Sequence, residues 1–372
     1  MRSRYTRLMR VVPLLAALVL TTAAQAQWKM QDSRTTADLR GIDSLGGGVA
    51  WASGTNGTVL RTEDAGEVWQ LCAVPTGAEK LDFRGVQASD NLTAIVMSSG
   101  PGDQSRLYKT TDGCKTWKIL FANPDKDGFW DALLMNRHTS DGWLLGDPVD
   151  GRFTLFTTKD KGATWTRHKS ASLAALAGEG GFAASNSSLI VDGHGQVIFG
   201  TGGARVAHVY KSSAAKAEFE RLDTPLAAAA TGAGLFSIAS HASANQNVIG
   251  GIALVAVGGD YTKPNERRGT AASSANRGDP WVAAQVPPQG YRSSVAYDAV
   301  HELWISVGPN GTDVSTDDGG HWRALKPGLG ETADADQHWN ALSLPYVVGP
   351  HGRMATLQSN ALGKKQTNGS KE

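Results

Sequence analysis

One short motif recurs along this chain of 372 residues, and it limits the possible folds more than any other feature. Its strict form is Ser/Thr-x-Asp-x-Gly-x-x-Trp. It occurs as Thr62-Asp64-Gly66-Trp69, Thr158-Asp160-Gly162-Trp165 and Ser315-Asp317-Gly319-Trp322. Ser274-Asn276-Gly278-Trp281 repeats it with Asn for Asp, and Thr110-Asp112-Trp117 carries Cys114 at the glycine position. From Ser212 to Phe219 both the Asp and the Gly are gone. With Trp28, which no box precedes, the aromatics are separated by 41 to 62 residues. A turn-and-tryptophan signature at such a period marks the blades of a β-propeller.

The chemistry of the motif is local. A hydroxyl or carboxylate staples backbone N–H groups of a tight turn, glycine permits the backbone angle, and the aromatic fills the space between sheets. Asp64, Asp112, Asp160, Asn276 and Asp317 are therefore expected as turn staples. Between boxes, each unit supplies an apolar segment, a second segment ending in a Gly-rich turn, and a third that runs into the box. Strand, turn, strand, box and strand make one four-stranded antiparallel blade. The predicted inner strands begin at Leu39, Phe83, Phe129, Gly181, Leu235, Tyr291 and His338. The last triplet, about 338–358, has no outer strand of its own, and Trp28 to Gln31 can supply one. That predicts an all-β, seven-bladed propeller over 27–358; the alternative of six blades leaves the triplet incomplete.

Residues 1–26 read as a signal peptide: Arg2, Arg4, Arg7 and Arg10, an apolar run from Val11 to Leu20, and cleavage after Ala26. A secreted or periplasmic protein with no stable membrane anchor is expected. Without the leader, 32 basic face 35 acidic side chains, a net −3, which gives nucleic acid no basic surface to bind. The polar stretch 359–372 is expected to be a disordered tail. An export route permits a disulfide, and Cys72 and Cys114 fall on the same rim of adjacent blades, so a bridge is expected between them. Phosphate-cradling, dinucleotide and nucleophile-elbow motifs are missing, and the nine histidines lack metal-ligand spacing, so neither cofactor nor metal is expected.

The boxes resemble the Asp-box, or bacterial neuraminidase repeat, of sialidases and other propellers. Beyond them, LDFRGV, SRLYKTTDG, GDPVDGRF, GTGGARV, YRSSVAY and GPNGTDVSTDDGG resemble secreted propellers of the photosystem II stability/assembly-factor type, over about 30–355. That resemblance implies an assembly chaperone without catalysis. Sialidases carry an Arg-Ile-Pro motif ahead of the first box, and this chain has none.

Two functions follow. One is a binding scaffold that holds a protein partner or an anionic or glycan ligand. The alternative is a glycan-active hydrolase or lyase, with Glu179, Asp131 and Tyr291 as candidate catalytic groups. Blade geometry puts the boxes on one face, and the Gly-rich turns and inner-strand starts on the other. On that second face Arg40, Arg84 and Arg292 align in blades one, two and six, while Trp130, Phe182, Phe236 and Trp339 take the same position in the other four. An arginine arc facing an aromatic arc suits an anionic ligand, because guanidinium binds carboxylate or phosphate in a fork. Asp131, Asp147, Arg152, Arg205, Asp260 and Tyr261 are expected nearby.

Overall fold

The computed structural model describes residues 27–243, 251–358 and Leu362. The leader and, Leu362 apart, the tail lie outside the described residues. Seven four-stranded antiparallel sheets form a ring. The innermost strands are Leu39–Gly46, Phe83–Ala88, Trp130–Met135, Leu189–Val191, Ala233–Ala242, Ser294–Asp298 and Ala341–Ser343. The seventh sheet is completed by Trp28–Met30, which pairs with Met354–Leu357 through Trp28↔Leu357 and Met30↔Ala355. Seven blades, not six, close the ring.

The second and third strands of each blade are apolar because both of their faces meet a neighbouring sheet. Ala94–Ser98, Leu303–Gly308 and Gly311–Ser315 are buried at every position. The outer strands are the opposite. In blades one, three, five and six they are two residues long and mostly exposed, as at Gln70–Leu71 and Val282–Ala283. Short outer strands leave little edge on which another chain could pair.

Seven apolar clusters among the described residues correspond to the seven seams, and the box aromatics key them. Each packs back onto the preceding blade. Trp69 meets Tyr346 of blade seven edge-on at 5.7 Å, and Trp281 sits with Ile198, Val209 and Leu222 of blade four. Trp322 joins Val255 and Ala271, Phe219 joins Phe153 and Leu155, and Trp28 joins Ile305 and Val314. The aromatic thus begins one blade's outer strand and fastens that blade to its neighbour.

The recurring turn works through two hydrogen bonds. The hydroxyl of Thr62 accepts from Gly66 N at 3.0 Å, and Asp64 Oδ1 accepts from Val68 N at 3.0 Å. Thr110/Asp112, Thr158/Asp160 and Ser315/Asp317 repeat both bonds. In blade five the residue that would donate to the acid is Pro280, which has no N–H, and there Asn276 stands in place of Asp. Gly66 has φ +83°, and Cys114, its counterpart in blade two, has φ 64°. Cys114 is bonded to Cys72, with 5.3 Å between their Cα atoms, so blade one is clipped to blade two at the rim. Replacing both cysteines with serine should lower stability by about 2–4 kcal/mol through release of the unfolded chain. An unchanged urea midpoint would show that the bridge contributes nothing.

Blade four departs from the sequence-based expectation. Its inner strand starts at Leu189, whereas 181–184 is irregular chain. That chain crosses the centre of the ring. Ala183 O accepts from Arg84 Nη1 of blade two at 3.0 Å, and the Asn186 side chain exchanges bonds with the Leu133 backbone of blade three at 2.8 and 2.9 Å. Ser187 donates to Ser237 of blade five and Ser185 to Ser293 O of blade six, both at 2.7 Å. The run from Gly180 to Ser188 has small side chains except at Phe182 and Asn186, which suits a segment threaded through a narrow channel.

Candidate binding site at the channel mouth

The inner strands of blades one, two and three begin with a β-bulge, and that of blade five has one after its third residue. Pairing jumps from Leu39 to Gly41, Phe83 to Gly85, Trp130 to Ala132, and Leu235 to Ser237. The skipped residues are Arg40, Arg84, Asp131 and Phe236. A bulge adds one unpaired residue and re-aims its side chain, and here all four line a cavity of about 610 Å³ over the channel. The residue before each bulge is a buried apolar plug, and the opposite strand must let the backbone come close. A Cβ on Gly54 would stand 2.3 Å from Asp38 O, and one on Gly258 would stand 2.0 Å from Gly234 O. Close approach likewise requires glycine at Gly146, Gly308 and Gly349, where a Cβ would stand 2.4, 2.4 and 2.0 Å from a facing carbonyl oxygen.

The floor of the cavity is Gly181–Ala184. One side carries the guanidinium groups. Arg84 Nε donates to Asp82 Oδ2 at 2.8 Å, and Arg40 Nε lies 3.7 Å from Asp82 Oδ1. Asp82 therefore sits between the two arginines, and Arg40 also faces Asp38 at 3.8 Å. Both arginine side chains remain close to 30% exposed, so their outer N–H groups stay reachable.

The next wall holds two carboxyls. Asp147 Oδ1 accepts from Gly181 N at 2.8 Å. Asp131 is 1% exposed, and its Oδ2 has no hydrogen-bond partner. Burial pushes the Asp131 carboxyl well above the usual range; the Asp147 charge adds to this and Arg84 opposes it. Burial raises Asp147 too, against the bond from Gly181. Aromatic rings complete the rim: Phe182 is stacked on Phe236 at 3.8 Å, Tyr291 meets Phe236 edge-on at 4.8 Å, and Tyr261 lies 6.2 Å from it. Burial also raises the Tyr291 hydroxyl.

Of the residues singled out from sequence, Arg40, Arg84, Asp131, Asp147, Tyr261, Tyr291, Phe182, Phe236 and Trp339 line this cavity. Others do not. Arg292 lies two residues before Ser294, the first paired residue of its strand, in the slot that Leu39, Phe83 and Trp130 take in their blades. It is fully buried, and Asp313 Oδ2 accepts from its Nε at 2.8 Å and also from Nη2. Ser293 takes the bulged position instead, so the arc has two arginines and not three. Trp130 is likewise a plug, stacked on Phe121 at 5.4 Å, and Asp131 is the true counterpart of Arg40. A shift of one residue exchanges the inward and outward faces.

Glu179 is buried away from the cavity. Its carboxylate accepts from Leu176 N, Thr201 Oγ1 and Tyr210 OH at 2.8, 2.6 and 3.1 Å and meets His208 Nδ1 at 2.8 Å. Burial alone would raise its pKa, but these bonds hold it below the usual value. It fastens the 168–180 loop to blade four. Asp260 accepts from Thr262 N and Oγ1 at 3.0 and 2.6 Å, a turn staple that presents Tyr261. Arg152 lines a separate groove with Asp150 and His168, and Arg205 is exposed on a turn of blade four. Sequence reasoning missed Asp82, Phe129 and Asn340. A signal for Asp82 was present in the repeated Asp38-Leu39-Arg40-Gly41 and Asp82-Phe83-Arg84-Gly85.

No family model matches the chain. A photosystem II assembly lipoprotein, Ycf48 of Picosynechococcus sp., is 26% identical over 43% of this chain, and the match spans only 59% of that protein's length. A solved structure of Ycf48 bound to D1 peptide superposes with TM-score 0.60 at 13% identity, covering 90% of this chain and 98% of that one. Ycf48 from Cyanidioschyzon merolae superposes with TM-score 0.57 at 17% identity, covering 90% and 99%. The chain is a seven-bladed β-propeller similar to the Ycf48 propellers.

Proposed function

We propose that this protein is a non-catalytic binding propeller of the assembly-factor kind, which holds an acidic segment of a protein partner over the channel mouth. The observation that carries this reading is the pair of bulges that deliver Arg40 and Arg84 to one cavity, with Asp82 between them. Two oriented guanidinium forks over an aromatic-rimmed depression suit a carboxylate on an extended peptide. Similarity to Ycf48, one structure of which holds D1 peptide, supports a protein partner over a small molecule. The first 26 residues support an exported location, which N-terminal sequencing at Gln27 of protein from the periplasm or medium tests.

The direct test is anisotropy titration of Asp-containing peptides and their Asn twins. Replacing Arg40 and Arg84 with alanine should weaken the Asp peptides at least tenfold, or about 1.4 kcal/mol, and leave thermal melting close to wild type. Equal binding of the Asp and Asn peptides would overturn the reading. One observation favours a second function: Asp131 and Asp147 are a carboxyl pair on the wall of one cavity, the equipment of a glycosidase. Turnover of chromogenic glycosides that is lost in Asp131→Asn would replace the binding reading with that one.

A further inference from the structure

Glu179 is a buried carboxylate whose two oxygens are engaged by three donors and a histidine. Asp131 is as deeply buried and differs from it. Its carboxyl makes no hydrogen bond to the described residues, and its Oδ2 is enclosed without a partner. Buried polar atoms are seldom left so, because an unmet group carries its full desolvation cost. The bulge at Trp130/Ala132 could have placed any side chain here, and it places an acid on the cavity wall beside a second one, Asp147. The stacked rings of Phe182 and Phe236 lie on the same cavity, and aromatic faces attract cations.

We propose that Asp131 and Asp147 form a second subsite of this cavity, which receives a cationic side chain of the bound segment. The ligand class is then a peptide carrying a carboxylate and, a few residues away, a lysine or arginine. This rests on Arg40 and Arg84 as the carboxylate anchor. Burial raises the pKa of both acids in the free protein, and an entering ammonium group opposes that shift.

The test uses the mature full-length protein and a set of short alanine-based peptides. Each holds one Asp and, one to four residues away, one Lys. Twins carry norleucine for Lys or Asn for Asp. Calorimetric titration is run at pH 7. At least one Lys peptide should bind about tenfold or more tightly than its norleucine twin. In Asp131→Asn/Asp147→Asn the Lys preference should vanish while the Asp-over-Asn preference persists. Lys and norleucine twins that bind alike throughout, or a Lys preference that survives in the double variant, would overturn the subsite. Should that variant fail to fold, the single variants Asp131→Asn and Asp147→Asn decide: a Lys preference unchanged in both overturns it. Loss of only the Asp-over-Asn preference condemns the arginine anchor instead, and the two failures are read separately.

Discussion

Arg292→Ala is expected to destabilise the propeller by about 3–5 kcal/mol, because it strands a buried carboxylate. Arg292 and Asp313 are 0% and 1% exposed, and the guanidinium also donates to Tyr291 O at 2.8 Å and to Asn310. Burial lowers the pKa of Arg292, against the attraction of Asp313, so the fold tolerates this charge only while its partner remains. The plug slot holds Leu39, Phe83 and Trp130 in other blades, so an apolar side chain fits the architecture. Replacing Arg292 with Leu and Asp313 with Val together should therefore recover most of the loss, as buried ion pairs often exchange for hydrophobic groups at little cost. Neither change should remove binding of acidic peptides at Arg40 and Arg84. Denaturant unfolding of the two single variants and the double measures the coupling. An Arg292→Ala protein as stable as wild type would refute a structural role for this pair.

Deleting residues 27–37 should have a larger effect, since it removes the strand that closes the ring. Trp28 is 2% exposed, lies 5.8 Å from Trp339 and belongs to the last seam. Its truncation alone to alanine is expected to cost about 3–5 kcal/mol. The deletion also breaks the bonds from Gln27 N and Trp28 N to Glu331 Oε1 at 2.8 and 2.7 Å, and that from Trp69 Nε1 to Gln31 Oε1 at 2.9 Å. Met354–Leu357, buried at every position, becomes an open apolar edge. The truncated protein should melt well below the mature chain and self-associate in light scattering. By contrast, Lys29→Ala, which breaks only an exposed ion pair with Glu67, should change little. A truncated protein that remains monomeric and melts like the mature chain would refute the closing role.

The parts of this protein legible in its sequence are those whose causes lie within a few residues. The turn at Thr62–Trp69 is stapled by bonds that span four residues, and its aromatic follows at a constant distance. Blade number and order came from counting such turns, and Trp28 as closing strand followed from one missing partner. Residue patterns could not show the start of the inner strands. There one unpaired residue decides whether a side chain enters the cavity or the seam. That is why Arg84 reaches the cavity, Arg292 plugs a seam, and Asp131 rather than Trp130 faces the cavity.

The remaining differences come from contacts remote in sequence. The 181–184 segment reads as a strand when taken alone, but it and the residues after it, to Ser187, find hydrogen-bond partners on four other blades, and those partners exist only once the ring has closed. Asp147 is a turn residue by composition, yet the amide of Gly181, 34 positions along, holds it at the cavity wall. Local hydrogen-bond chemistry and aromatic spacing belong to the chain by itself, and they determined the propeller. Bulge register and burial depend on which backbones approach each other in three dimensions, so the tertiary structure alone decided which charges face the cavity and which brace the ring.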